Sequence, residues 1–366
     1  MQASILLNTL KIFSYIPGVG PSKDFHVIFS KEGQAIVNCG ILYSKIEVSL
    51  GLDRAIALSW KRLSSLLNTL GSKNIEFTFD GDVLKWKASG MGYNNKGTLS
   101  YIDPNTLLES IDVSLPETKK CIPVTEQMRS ALSFYIKSID FENYSQCRGV
   151  SIIPKNNYII AAATNGISLG ISEIHDYLDT DNDFGSGVQI LVPHALSKII
   201  ANSETQLDSK LFYELDESGT SVTKCGYIFD NGFVVSAVEK FNGLDFEKHK
   251  STYVPNTEIS YIPFSVGLTE TLNRISIFDD GWDISITNFR QKNEKLIIST
   301  ESSFGTIEDT FDIPFQEEAF LRCATSLLKK AGSAMDGVYP IHATHGAFVF
   351  VNETKTIFFI VSPVSE

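Results

Sequence analysis

No uninterrupted apolar run in this chain approaches the roughly 18 residues that a membrane-crossing helix needs. Met1 to Ile16 also lacks the basic start and small-residue cleavage site of a secretory signal, so a soluble cytoplasmic protein is expected. Cysteine is scarce: Cys39, Cys121, Cys147, Cys225 and Cys323 lie far apart, form no CxxC and are odd in number. That argues against a disulfide framework and fits thiols kept reduced in a cytoplasm. Positive charge is in deficit, with 31 Lys and Arg against 43 Asp and Glu and a formal net charge of −12. A uniformly basic surface is excluded, although a ligand senses the local field and not the sum.

Catalytic signatures are missing as well. The chain has no HExxH, no GxSxG and no glycine-rich phosphate loop. Gly18-Val19-Gly20-Pro21 lacks the following Lys-Ser/Thr and reads as a loop. His342 and His345 fall three apart in a strand-like segment, where they point to opposite faces. Asp279-Asp280 and Glu317-Glu318 read as solvated charges, and Trp60, Trp86 and Trp282 as packing anchors. No metal and no cofactor is expected.

What is present is enough apolar residue, at 43%, to bury sizeable cores. A junction recurs in which an apolar strand end meets a proline and then an amphipathic helix. It occurs at Ile122-Pro123-Val124, Leu191-Val192-Pro193, Ile262-Pro263-Phe264 and Ile313-Pro314-Phe315. Proline suits a helix start, where its missing N–H goes unneeded and its φ is already near helical. Two further helices are expected, one over the N-terminal segment and one from about Leu58. The six fall in pairs whose counterparts are separated by roughly 120–140 residues, too long for a solenoid repeat. Between them lie strand-like runs, including hairpin signals at Asp80-Gly81-Asp82 and Asn231-Gly232. The expected fold is α+β, in three repeated domains over residues 1–118, 119–252 and 253–366. Each has two helices packed on antiparallel sheets, with polar boundaries near 115–121 and 250–257.

Order and spacing carry a resemblance. Ala163-Thr164-Asn165-Gly166-Ile167-Ser168-Leu169, the preceding Arg148-Gly149-Val150, and Val238 to Phe246 each match a motif in place. So do Leu272 to Ile277 and the final Phe359 to Val364. Together they resemble the sliding clamps of the bacterial DNA polymerase III β-subunit family along essentially the whole chain. Asn165 stands where that family has aspartate, Ile167 and Ser168 where it has histidine and arginine, Asn242-Gly243 where it has proline, and Ser362 where it has methionine. A clamp this divergent suits a bacteriophage or other mobile element.

The resemblance implies a processivity factor and not an enzyme. It implies half of a homodimeric ring around double-stranded DNA, bound without regard to sequence, with helices lining the hole. The expected DNA contacts are Lys11, Lys61, Arg62, Arg129, Lys137, Lys198, Arg274, Arg322, Lys329 and Lys330. A pocket for short linear motifs of a DNA polymerase and a clamp loader maps to Cys147, Thr164, Gly166, Ile167, Leu169, Ile360, Val361, Ser362 and Pro363. Ring closure maps to Thr98, Leu99 and Tyr101 against Ile277 and Phe278. Two alternatives remain open: a clamp-fold interaction protein acting as decoy or inhibitor of a host replisome, and a β-rich hydrolase.

Overall fold

The computed structural model describes residues 1–16, 24–40, 42–90, 92–107, 115–117, 119–139, 148–176, 188–203, 208–238, 244–255, 258–264, 266–275, 285–302, 305–332 and 335–364. Cys147, Ile277 and Phe278 lie outside this set, as does the side chain of Lys329. Among the described residues the helices are α1 (Ala3–Thr9), α2 (Trp60–Leu70), α3 (Glu126–Ser138), α4 (His194–Asn202), α5 (Phe246–Tyr253), α6 (Val266–Ile275) and α7 (Thr325–Gly332). None is long and apolar enough to cross a membrane.

The chain forms two compact units, each assembled from separated stretches. One comprises Met1–Glu126 and Ala195–Lys240, the other Gln127–His194 and Phe241–Glu366. The first holds an eight-stranded antiparallel sheet in the order Ile56–Ser59, His26–Phe29, Gln34–Asn38, Leu42–Glu47, Gly232–Ala237, Val222–Phe229, Lys210–Leu215, Lys120–Pro123. Its middle seam pairs Leu42–Glu47 with Gly232–Ala237, residues almost two hundred positions apart. A separate three-stranded sheet runs Asn74–Asp80, Val83–Gly90, Tyr93–Leu99. Here α2 shows why its residues form a helix. The Ser59 hydroxyl caps it by accepting from the Arg62 N–H at 3.2 Å, Trp60, Leu63, Leu67 and Leu70 form the buried stripe, and Gly71 at φ 57° ends it. α1 packs against this helix.

The second unit repeats the plan. Its eight strands run Ile190–Pro193, Gly149–Pro154, Ile159–Thr164, Ser168–Ile174, Ile357–Val361, Phe348–Val351, Gly337–Val338, Ile262–Pro263. The seam joins Ser168–Ile174 to Ile357–Val361. A four-stranded sheet runs Gly305–Asp312, Lys295–Ser302, Ile286–Lys292, Ala319–Ala324.

Three of the four proline junctions open helices as expected, at α3, α4 and α6. The fourth does not. After Ile313-Pro314-Phe315 comes the strand Ala319–Ala324, and α7 begins only at Thr325. The six-residue run pairs continuously with Ile286–Lys292, with Phe320 exposed and Cys323 buried, and that pairing wins over the helical spacing of Leu321 and Leu328. Arg322 is therefore a strand residue and leaves the expected helix set. α5 is an addition, and it takes in part of the segment read as a polar boundary at 250–257.

Candidate functional site

Two faces of the second unit's large sheet carry different helices. On one, Tyr135 of α3 is fully buried against Gly170, and its hydroxyl bonds the Ala161 carbonyl at 2.9 Å and Ser172 Oγ at 2.5 Å. A methyl group at Gly170 would meet that ring at 2.3 Å, so only glycine lets α3 approach this closely. On the other face, Ile160, Ala162, Ile171, Phe358 and Ile360 form one apolar cluster beneath Phe246 of α5. Leu169 packs at its edge, directly across the seam from Ile360.

α5 has a polar sequence, and individual contacts hold it. The Asp245 carboxylate caps it by accepting from Lys248 N at 3.0 Å, and Phe246 anchors it at 2% exposure. Two ion pairs tie it to the sheet, Lys250–Glu173 at 2.5 Å and Lys155–Glu247 at 2.7 Å. Beside them burial, then the Glu247 and Glu173 carboxylates, push the Tyr158 phenol above its ordinary value. Between α5 and the sheet lies a cavity of about 460 Å³. Ile160, Ile171, Phe246, Phe358 and Tyr339 supply its apolar walls, with Glu173, Lys250 and Lys355 among the polar ones.

The expected pocket residues divide around this cavity. Leu169 and Ile360 lie on its side of the sheet, one alternate position along from Ile171 and Phe358. Thr164 pairs with Leu169 and is half-buried. Val361 is fully buried and alternates to the α3 side, so it does not share a face with Ile360. Gly166 and Ile167 form the turn between two strands. Asn165 Oδ1 accepts from Ile167 N at 3.1 Å, Ser168 N at 2.8 Å and Ser168 Oγ at 3.0 Å. Only one acceptor oxygen is used, so asparagine serves where an aspartate would. The turn leaves Ile167 47% exposed. Its carbonyl accepts from Ser362 N at 2.9 Å, which docks the exposed Ser362-Pro363 beside it. α5 and the cavity escaped the sequence reading, and the one signal for them was the Asp245-Phe246 capping pair.

Of the expected DNA contacts, Lys11, Lys61, Arg62, Lys137 and Lys198 are exposed on helical segments. Lys330 is half-buried on α7. Arg129 is 4% exposed, so it presents no cation to solvent and does not share the exposure of Lys137 eight residues on. Arg274 is exposed but paired with Asp309 at 2.6 Å. The Thr271 hydroxyl first, then Arg274, hold that carboxyl below its usual range despite partial burial. Among the described residues no three His, Cys, Asp or Glu side chains form a group that could hold a metal.

Thr98 is exposed, Leu99 and Tyr101 half-buried, on and just after the Tyr93–Leu99 edge strand. On that sheet's outer face Lys96 stands across from Lys87. In the second unit the edge strand Gly305–Asp312 exposes Glu308 and Asp312.

Solved structures match the chain over its whole length. The chain matches a putative DNA polymerase III beta subunit from Eubacterium rectale at TM-score 0.74 and 13% identity, covering 100% of this chain and 98% of that one. It matches the DNA polymerase III subunit beta from Pseudomonas aeruginosa at 0.74 and 14%, covering 100% and 99%. It matches the beta subunit from Thermotoga maritima at 0.74 and 12%, covering 100% and 98%. No protein-family model matches the chain, and no curated protein matches it in sequence. From end to end, then, this divergent chain has the sliding-clamp fold of DNA polymerase III β subunits.

Proposed function

We propose that the chain is a DNA sliding clamp, two copies of which close head to tail around duplex DNA and hold a polymerase through a short linear motif. The observation that carries this is a pair of complementary sheet edges. Each eight-stranded sheet is two four-strand groups joined at a seam, whereas the other two sheets stop at three and four strands. Each of those leaves an edge strand with no described neighbour, a row of backbone donors and acceptors ready for another chain. The Tyr93–Leu99 edge carries Lys96 with Lys87 and Lys85 behind it, and the Gly305–Asp312 edge carries Glu308 and Asp312. Joining unlike edges of two copies makes a heterologous contact that closes when its rotation allows. Thr98, Leu99 and Tyr101 fall at this junction, and Ile277 and Phe278 are assigned to its other side.

The seams also support three modules, 1–118, 119–252 and 253–366, since each seam joins strands from successive modules. DNA would meet the exposed helix cations Lys11, Lys61, Arg62, Lys137 and Lys198. Such phosphate contacts position without reading sequence and weaken as salt rises. Leu169, Ile167, Thr164 and Pro363 would receive the partner's motif at the edge of the α5 cluster. No chemical step is required: a closed ring raises the polymerase's effective concentration at the primer end, as any tether does. Sedimentation should give twice the 40.5 kDa chain mass. A loaded clamp should stay on nicked circular DNA and slide off once it is linearised. A strict monomer at micromolar concentration, or equal retention on both DNA forms, would refute the reading.

A further inference from the structure

The cavity under α5 has a charge balance that selects its occupant. Its two carboxylates are already answered: Glu173 by Lys250 at 2.5 Å, and Glu247 by Lys155 at 2.7 Å. Lys250 also lies over the Phe358 ring, 4.9 Å from its centre. Lys355, on the cavity wall, has no carboxylate partner among the described residues. Its ammonium sits 5.8 Å from the centre of the Tyr261 ring. The backbone there takes φ 54°, a left-handed conformation that glycine or asparagine adopts more readily than lysine. The turn is fixed by Asn352 Oδ1, which accepts from Thr356 N at 2.9 Å and Ile357 N at 2.8 Å. In a chain of net charge −12, this leaves an apolar space whose wall carries one lysine, Lys355, that no carboxylate answers among the described residues. At about 460 Å³ it falls within the size range of ligand pockets, roughly 300–1,000 Å³.

We propose that this cavity captures the C-terminal residue of a partner peptide, its bulky apolar side chain against Ile171 and Phe358 and its free carboxylate on Lys355. The inference rests on the peptide-docking reading above and extends it, because the cavity lies one alternate position along the strands from Leu169 and Ile360. The two positions together would bind a segment that ends in the cavity and runs back over Leu169 toward Ile167. A charge-assisted contact to a carboxylate is stronger than a neutral one, so recognition of the chain end should show as preference for the free acid over its amide.

The test uses the full chain and a fluorescein-labelled peptide, Gly-Ser-Gly-Leu-Phe, as free acid and as C-terminal amide, followed by anisotropy. The acid should bind about tenfold tighter, equivalent to about 1.4 kcal/mol. Lys355→Gln should abolish the preference by costing the acid about tenfold more than the amide, and Lys355→Arg should retain it. Ile171→Trp, which fills the cavity, should weaken both forms, with a thermal melt confirming that the variant folds. Equal binding of acid and amide, or a Lys355→Gln loss shared equally by both, would overturn the proposal. N-acetylphenylalanine binding as tightly as the peptide would also overturn it, by moving the site to small carboxylates. Loss of the acid preference in a chain that still dimerises and loads on DNA removes this site alone, whereas acid preference in a monomeric chain removes the ring alone.

Discussion

Reversing one charge on the Tyr93–Leu99 edge should move stability and assembly in opposite directions. In the single chain Lys96 stands directly across from Lys87, which faces Glu76 on its other side. Charges directly opposite on a sheet interact by roughly 0.2–1 kcal/mol, so Lys96→Glu replaces a repulsive pair by an attractive one and raises chain stability by about 0.5 kcal/mol. Across a joined edge the new carboxylate would stand about 5 Å from Glu308 or Asp312 of the second copy. Two unit charges at that spacing interact by roughly 1–3 kcal/mol for effective dielectric constants between about 80 and 20. For side chains this exposed the high-dielectric end applies, so losing an attraction and gaining a repulsion costs about 2 kcal/mol at each junction. That should weaken dimerisation by about 30-fold per junction at low salt, and by less at high salt, where screening shortens the reach of both. Sedimentation velocity at low and high salt measures the change in assembly, and thermal melting the change in chain stability. Adding Glu308→Lys should restore assembly. An unchanged dimerisation constant, or a fall in assembly and stability together, would refute the edge-pairing argument.

Other expectations test the remaining parts. Leu169→Asp should abolish polymerase stimulation with the melting temperature nearly kept, because Leu169 is half-buried, and stimulation at the wild-type level would place the docking site elsewhere. Tyr135→Phe should lower unfolding free energy by about 1–3 kcal/mol in denaturant titrations, by stripping a partner from the Ala161 carbonyl and Ser172. Lys61→Glu, Lys137→Glu and Lys198→Glu should leave the fold intact and reduce the salt slope of DNA retention by about 0.9 for each phosphate no longer neutralised. Arg129→Glu should instead destabilise the chain, since it buries a reversed charge. Asp309 has a depressed pKa, so its contribution is present above the unfolded carboxylate value of about 3.9 and is lost as pH falls through the folded value. Asp309→Asn should therefore flatten the acid limb of the stability–pH curve while costing stability at neutral pH.

Much of this architecture was legible in the residues. The α2 stripe of Trp60, Leu63, Leu67 and Leu70 has helical spacing, and the turn at Gly81 interrupts two alternating runs. Both are local patterns, and local patterns determined both elements. The failures were cases where distant partners decided. Ala319–Ala324 has residues at helical spacing, yet it becomes a strand because Ile286–Lys292 lies beside it. α5 has almost no apolar stripe, and it forms because Glu173 and Lys155, far off in sequence, answer its charges. Arg129 reads as an exposed cation on an amphipathic helix, and its 4% exposure comes from tertiary packing that a helical period does not encode. At the candidate site Leu169 and Ile360 were readable as one rung of a sheet, but the cavity depends on where α5 crosses that sheet.

The sheet seams also govern how the molecule can be cut and made. Leu42–Glu47 finds its second neighbour only when Gly232–Ala237 has been synthesised, so the nascent chain carries a bare strand flank while almost two hundred residues are added. An expression fragment ending near residue 118 would keep that flank permanently, with Ile46 and Leu42 beside it, and should clump where the whole chain stays dispersed. Dividing the protein for study is therefore safest where the cut leaves both strands of each seam in one piece.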